Sequence, residues 1–317
     1  MDAFIPTLEQ MAVLFLLISA GYVLVKVKIL NASAATVLAR LVNNVFLPAN
    51  ILVTFTTYCN VNSLVSQWPI ILASCILLVV LIIISIILSK VCTKNGYLRK
   101  IYTYALSFSN FGFMGYAIVD ALFMPFSFAY KIFTLPFWIM IYAWGAPVLL
   151  MSNESEGREI LPRKTRIRNR VKSFINPLFI SMIIGIILGL TDLKLPKFLN
   201  TFIGMSSNCM SPCAMILTGI TVSTISLKKT FTNWNVYLVS AIKLVLYPAI
   251  FFVVMLIFPS LDKSIVLCCM VMCAMPTGLN TIVIPSAYGK DTSFAGGLAI
   301  VSHILSCITI PLVFCLV

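Results

Sequence analysis

The amino-acid sequence predicts an all-α integral membrane protein of ten transmembrane helices in two inverted five-helix repeats, with crossing broken helices in spans 4 and 9. Three observations carry this. Hydrophobic residues make up 61% of the 317 residues and charged residues only 10%, against about 25% charged in soluble domains. The apolar residues gather in ten long runs. An Asn-x-x-x-Pro pattern recurs in the two halves of the chain at one fixed offset.

A helix needs about 20 apolar residues to cross the hydrocarbon core. Runs at 7–25, 34–57, 66–89, 101–123 and 128–151 precede a hydrophilic stretch. Runs near 175–191, 197–225, 235–258, 262–287 and 292–316 follow it. Continuous apolar runs exclude a β-barrel, whose strands alternate. The first run follows Asp2 and Glu9 rather than a basic segment, so it reads as a span and not as a cleaved leader. The chain divides into a first five-helix repeat, 1–151, a basic linker, 152–173, and a second, inverted repeat, 174–317, within a single membrane domain.

The formal net charge of +13 would point to nucleic acid in a soluble protein. Here the cations lie in short gaps between apolar runs, as the positive-inside rule requires, and no nucleic-acid partner is expected. With the N-terminus outside, 17 of the 22 Lys and Arg residues fall in inward gaps. Lys131, Lys194, Lys197 and Lys263 fall in outward gaps, and Lys243 lies within a span. The chain is therefore expected in the cell (plasma or inner) membrane as a multi-pass protein, with both termini outside and 152–173 (SNESEGREILPRKTRIRNRVKS) cytoplasmic. The ten cysteines lie mostly in apolar runs, with a single histidine and no CxxC or HExxH. They read as small apolar side chains; neither a metal site nor a cofactor is expected. Catalysis is not expected either, because the spans offer one aspartate and one histidine in different halves.

An offset of 164 places Gly21 on Gly185, Asn44 on Asn208, Pro48 on Pro212 and Pro147 on Pro311. Five spans is an odd number, so the second repeat enters the membrane inverted, the arrangement typical of secondary transporters. Asn44, Pro48, Asn208 and Pro212 read as structural helix breaks, an asparagine being able to satisfy a carbonyl that proline leaves unpaired.

Span four, YALSFSNFGFMGYAIVDALF, holds Gly112 and Gly115. Span nine, CAMPTGLNTIVIPSAYG, holds Pro276, Gly278 and Pro285. Interruptions in matching spans point to a binding site whose half-helix N-termini face an anion. The predicted substrate-binding residues are Asn110, Gly112, Gly115, Pro276, Gly278 and Asn280; the two asparagines donate hydrogen bonds without bringing charge into the bilayer. Asp120, past Gly115, is a candidate proton or cation relay. Lys243 either snorkels to the cytoplasmic interface or attracts an anion. His303, beside Ser302, Ser306 and Thr309, is a hydrogen-bonded packing residue or a proton relay.

These strings resemble the auxin efflux carrier family: SNFGFMGYAIVDALF its span-four signature, CAMPTGLNTIVIPSAYGKD and LAIVSHILSCITIPL its span-nine and span-ten signatures, with LVNNVFLPANIL in span two. The resemblance covers nearly the whole chain. It implies a scaffold of spans 1, 2, 6 and 7 and a transport domain of spans 3–5 and 8–10. It further implies crossover asparagines that contact a substrate carboxylate, matched here by Asn110 and Asn280, and a basic residue before a proline, matched by Lys243 and Pro248. Ala117 stands where the family usually has proline, and His303 where the residue is usually small or hydroxylated. The short linker is similar to the prokaryotic malate and malonate permease-like branch. The implied function is secondary transport of small organic anions by alternating access, with membrane lipids as partners and a homodimer allowed. The alternatives are a sodium-coupled organic-anion symporter of the bile-acid-transporter type and, more remotely, a membrane receptor without transport.

Overall fold

The structure, a computed structural model, describes residues 4–151, 175–191, 193–224, 233–287, 290 and 292–315. The linker 152–173, Lys228 and Lys229 lie outside the described residues. Those described are helical, and their one β-feature is an isolated antiparallel bridge between Ser109 and Thr277. In chain order the helices are α1 (Phe4–Lys26), α2 (Ala34–Tyr58), α3 (Val61–Cys92), α4 (Gly96–Ser107), α5 (Phe111–Leu122) and α6 (Met124–Leu150). After the linker come α7 (Pro177–Thr191), α8 (Lys197–Asn208), α9 (Met210–Ser223), α10 (Trp234–Ile257), α11 (Lys263–Ala274), α12 (Asn280–Ala287) and α13 (Ser293–Phe314).

Six of these, α1, α2, α3, α6, α10 and α13, are long and apolar enough to cross a membrane. The other four predicted spans take different forms. Residues 101–123 divide into α4 and α5, 197–225 into α8 and α9 at Cys209, and 262–287 into α11 and α12; the run at 175–191 yields the 15-residue α7. Length alone therefore identifies the unbroken spans, and the interruptions fall where proline, glycine and asparagine cluster.

The α3 helix shows how such a sequence folds. Leu72, Ile76, Val79, Val80, Ile83 and Ile87 are exposed, while Ser74, Ser85 and Ser89 are buried. This pattern is the reverse of a soluble helix, because lipid replaces water outside and hydroxyls join helices inside. Ser85 shares a 2.6 Å hydrogen bond with Ser107, Thr103 donates to Ser89 at 2.9 Å, and Ser74 donates to the Phe133 carbonyl.

Two pairings, α1 with α9 and α2 with α7, run through small residues. A Cβ added at Gly21 would strike the Ile216 carbonyl, one at Gly219 the Ile18 carbonyl, and one at Gly185 would stand 2.7 Å from Phe55 Cβ. Gly21 and Gly185 are equivalent at the offset of 164, and so are Phe55 and Gly219. The two interfaces thus use corresponding positions. Both π-turns that precede prolines, Val42–Phe46 before Pro48 and Ile242–Leu246 before Pro248, widen the helix where proline cannot donate.

Candidate functional site

The α4–α5 and α11–α12 segments meet at their interruptions. Asn110 N–H donates to the Pro276 carbonyl at 2.8 Å, Ser109 pairs with Thr277 in the isolated bridge, and Ser109 Oγ donates to the Met272 carbonyl at 2.7 Å. Each break spends part of the backbone hydrogen-bonding capacity freed by the other, so neither strands polar groups in the interior. Thr277 completes the arrangement: its N–H and Oγ1 both engage Ser302 Oγ on α13 at 3.3 and 2.9 Å.

Beyond the bridge each chain starts a half-helix. Asn110 stands at the N-cap position of α5 without a side-chain cap bond, and Asn280 opens α12. The first residues of both half-helices border one cavity of about 20 Å³, together with Tyr104, Trp138 and Gly278. That volume suits about one water. Two helix N-termini carry partial positive charge toward this point, and neutral amides supply donors. Asn280 Nδ2 also donates to Tyr104 Oη at 3.3 Å. Asn110 Nδ2 meets His303 Nε2 at 3.0 Å, and His303 Nδ1 lies 2.7 Å from the Ala299 carbonyl.

The six predicted binding residues divide. Asn110, Gly112, Gly278 and Asn280 line the cavity. Pro276 contributes its carbonyl to the crossing instead. Gly115 lies under the Tyr130 hydroxyl and Gly112 under the Trp138 ring, where a Cβ would approach to 2.5 Å; close packing accounts for both glycines. Among the helix-break residues, Asn44 is exposed and donates to the Arg40 carbonyl at 2.7 Å, one turn before its expected acceptor. Asn208 is exposed at the last residue of α8, immediately before the break at Cys209, and Pro212 enters α9.

Three charged residues stand differently from their sequence expectation. Lys131 is not in an outward gap: it is buried in α6, with Nζ 3.2 Å from both oxygens of Asp120 and hydrogen-bonded to Thr54 and Ser127. Lys131 lies within the apolar run 128–151, and its partners Asp120 and Thr54 reach it from neighbouring helices. Asp120 is accordingly no isolated acid; it also accepts from Ser127 at 2.6 Å and from Asn50 Nδ2 at 3.1 Å. Lys243 does not snorkel. It is fully buried, donates to the Leu106 carbonyl at 3.0 Å and lies 5.3 Å from the centroid of the Tyr247 ring. Leu106 belongs to the last turn of α4, whose carbonyls lack helical partners.

Among the described residues no group of three or more His, Cys, Asp or Glu side chains converges to hold a metal ion. A family model described as "Membrane transport protein" matches residues 6–314. No curated protein matches the chain.

Proposed function

The chain belongs to this membrane transport family, the auxin efflux carrier-like one, and from that premise we propose that it is a secondary transporter of small organic anions, carboxylates such as malate or malonate, working by alternating access. The observation that carries the reading is the crossing itself: two half-helices, each headed by an asparagine, start at one buried cavity. Positive helix ends and amide donors suit a carboxylate better than a cation or a neutral solute. Ten spans in two inverted repeats are part of the same reading. Their support is the offset of 164, which relates the α1–α9 contact to the α7–α2 contact.

Scaffold and transport domains are part of this reading; the α1–α9 and α2–α7 pairings on one side and α3–α4 and α10–α13 on the other support it, with α1 also packed on α13. The cell membrane as location, both termini outside and the linker 152–173 inside, is supported by the cation distribution, which with Lys131 buried becomes 17 against 3.

Uptake of labelled malate and malonate into proteoliposomes tests the proposal. Asn110→Ala and Asn280→Ala are each expected to lower apparent affinity about fivefold, the loss of one hydrogen bond of about 1 kcal/mol. Undiminished transport by both variants would remove the crossing as the binding site.

A further inference from the structure

His303 lies 193 residues from Asn110 in sequence and in hydrogen-bond contact with it. The imidazole is 3% exposed, and its two ring nitrogens have one partner each. A carbonyl only accepts, so Nδ1, 2.7 Å from the Ala299 oxygen, carries a proton. In the neutral ring Nε2 is then an acceptor, and the Asn110 amide must turn its NH₂ toward it. One of the two amide N–H bonds of Asn110 is thereby committed to the histidine.

Adding a proton to Nε2 reverses this bond. The imidazolium donates from both nitrogens, so Asn110 must offer Oδ1, and a half-turn of the amide releases both N–H bonds toward the cavity. The proton that reverses the bond also brings a positive charge next to the place an anion would occupy. A lone cation here is costly in a buried interior, and so is a lone anion; the two together offset each other. Building on the carboxylate-transport reading above, we propose that His303 is a positioning residue that couples proton uptake to anion binding by switching the orientation of Asn110, so that each carboxylate enters the site with one proton. The proton comes from water, resides on Nε2 while the anion is bound, and leaves with it.

Among the described residues no other side chain hydrogen-bonds to the ring. The helices packed on α13 are α1, α9, α10, α11 and α12. Glu9, Lys26 and Lys263, on α1 and α11, are exposed. Tyr22, Cys213 and Tyr237, on α1, α9 and α10, are half-buried. The buried groups are Lys243 and Tyr247 on α10 and Cys268, Cys269 and Cys273 on α11. Cys307, on α13 itself, engages the backbone carbonyl of His303 and not its ring. The described part of α12 brings no titratable side chain. A carboxylate facing the ring would fix its charge permanently; among the described residues none hydrogen-bonds to it, which leaves the anion to supply the counter-charge.

The chain has one histidine, so ¹⁵N-histidine labelling of the full protein in lipid nanodiscs reports this ring alone. Without carboxylate the spectrum should show one protonated and one bare ring nitrogen. With saturating malate at the same pH both should be protonated. A ring that stays neutral in the malate-bound protein overturns the proposal. In a second measurement, malate affinity of the wild-type protein should rise about tenfold for each unit of falling pH, the slope of one linked proton, over roughly pH 6–8. In His303→Gln, whose side-chain oxygen can still accept from Asn110 but cannot bind a proton, affinity should be flat over that range. An unchanged slope in the variant also overturns the proposal, and the labelled wild-type protein decides the matter if the variant fails to fold. Wild-type protein that binds neither malate nor malonate overturns this proposal together with the carboxylate reading; binding with a neutral ring overturns this one alone.

Discussion

Lys131→Met should destabilise the folded protein by about 3 kcal/mol, measured by unfolding in detergent micelles, because it leaves Asp120 without its cation. Removing one partner of a buried ion pair costs about 3–5 kcal/mol. The lower end applies because the Asp120 side chain keeps 24% exposure while Lys131 keeps 2%. Asp120→Asn should cost at least as much, since it strands the more deeply buried Lys131 ammonium and turns an N–H toward donors that now meet both carboxylate oxygens. Combining Lys131→Met with Asp120→Asn should recover much of the loss. A double-mutant cycle whose coupling falls below about 0.5 kcal/mol would show that the two groups act independently.

The same cluster has a mechanical side. Asn50 and Thr54 come from α2, whereas Asp120 and Lys131 come from α5 and α6. These polar contacts tie α2 to α5 and α6, and any sliding of α5 and α6 past α2 must break them. That is a reason for hydroxyl, amide and ion-pair contacts here rather than interdigitated aliphatic packing: a few polar bonds can be exchanged in steps, while a close-packed seam resists movement as a whole. Asp120, already neutralised by Lys131, suits this role better than that of a free proton carrier.

How much of this was legible in the sequence depends on the range of the interaction. The apolar runs announced the helices because lipid burial acts residue by residue, and the break at 275–279 falls on Pro276 and Gly278, whereas the break at 108–110 lies ahead of Gly112 and Gly115, which are helical in α5. Asn110 and Asn280 could be singled out because an amide beside a broken helix is costly unless it has something to bind. The partners could not be read in the same way. Nothing near His303 in sequence points to Asn110, and nothing near Lys131 points to Thr54, 77 residues away. Such pairs are fixed by which helices cross, a property of the assembled bundle. Of the two roles the sequence leaves open for Lys243, burial sets aside snorkelling, because its acceptor, Leu106, lies across the bundle, 137 residues away.

Lys243→Met should reduce malate uptake about tenfold or more without loss of stability, and uptake by the wild-type protein should be the same in sodium and in choline medium. The reasoning begins at α4, which ends at Ser107, just before the crossing. The carbonyls at such a half-helix end carry partial negative charge, and in sodium-coupled carriers they help to hold the ion. Here the Lys243 ammonium already donates to one of them, Leu106, with the Tyr247 ring face beneath it. A cation built into the chain already engages one of these carbonyls, and this is the observation set against the sodium-symport alternative. The same charge attracts an anion held at the crossing: for a separation on the order of 10 Å and an effective dielectric of about 20, the attraction is roughly 1.5 kcal/mol, about an order of magnitude in affinity. Stability should move the other way or not at all, since methionine places apolar volume where a charge without a carboxylate partner was buried, and such exchanges are often neutral or stabilising. The split between the two readouts is what decides the role. A fall in stability that matches the fall in uptake would make Lys243 a packing residue, and sodium-dependent uptake by the wild-type protein would restore the symport reading.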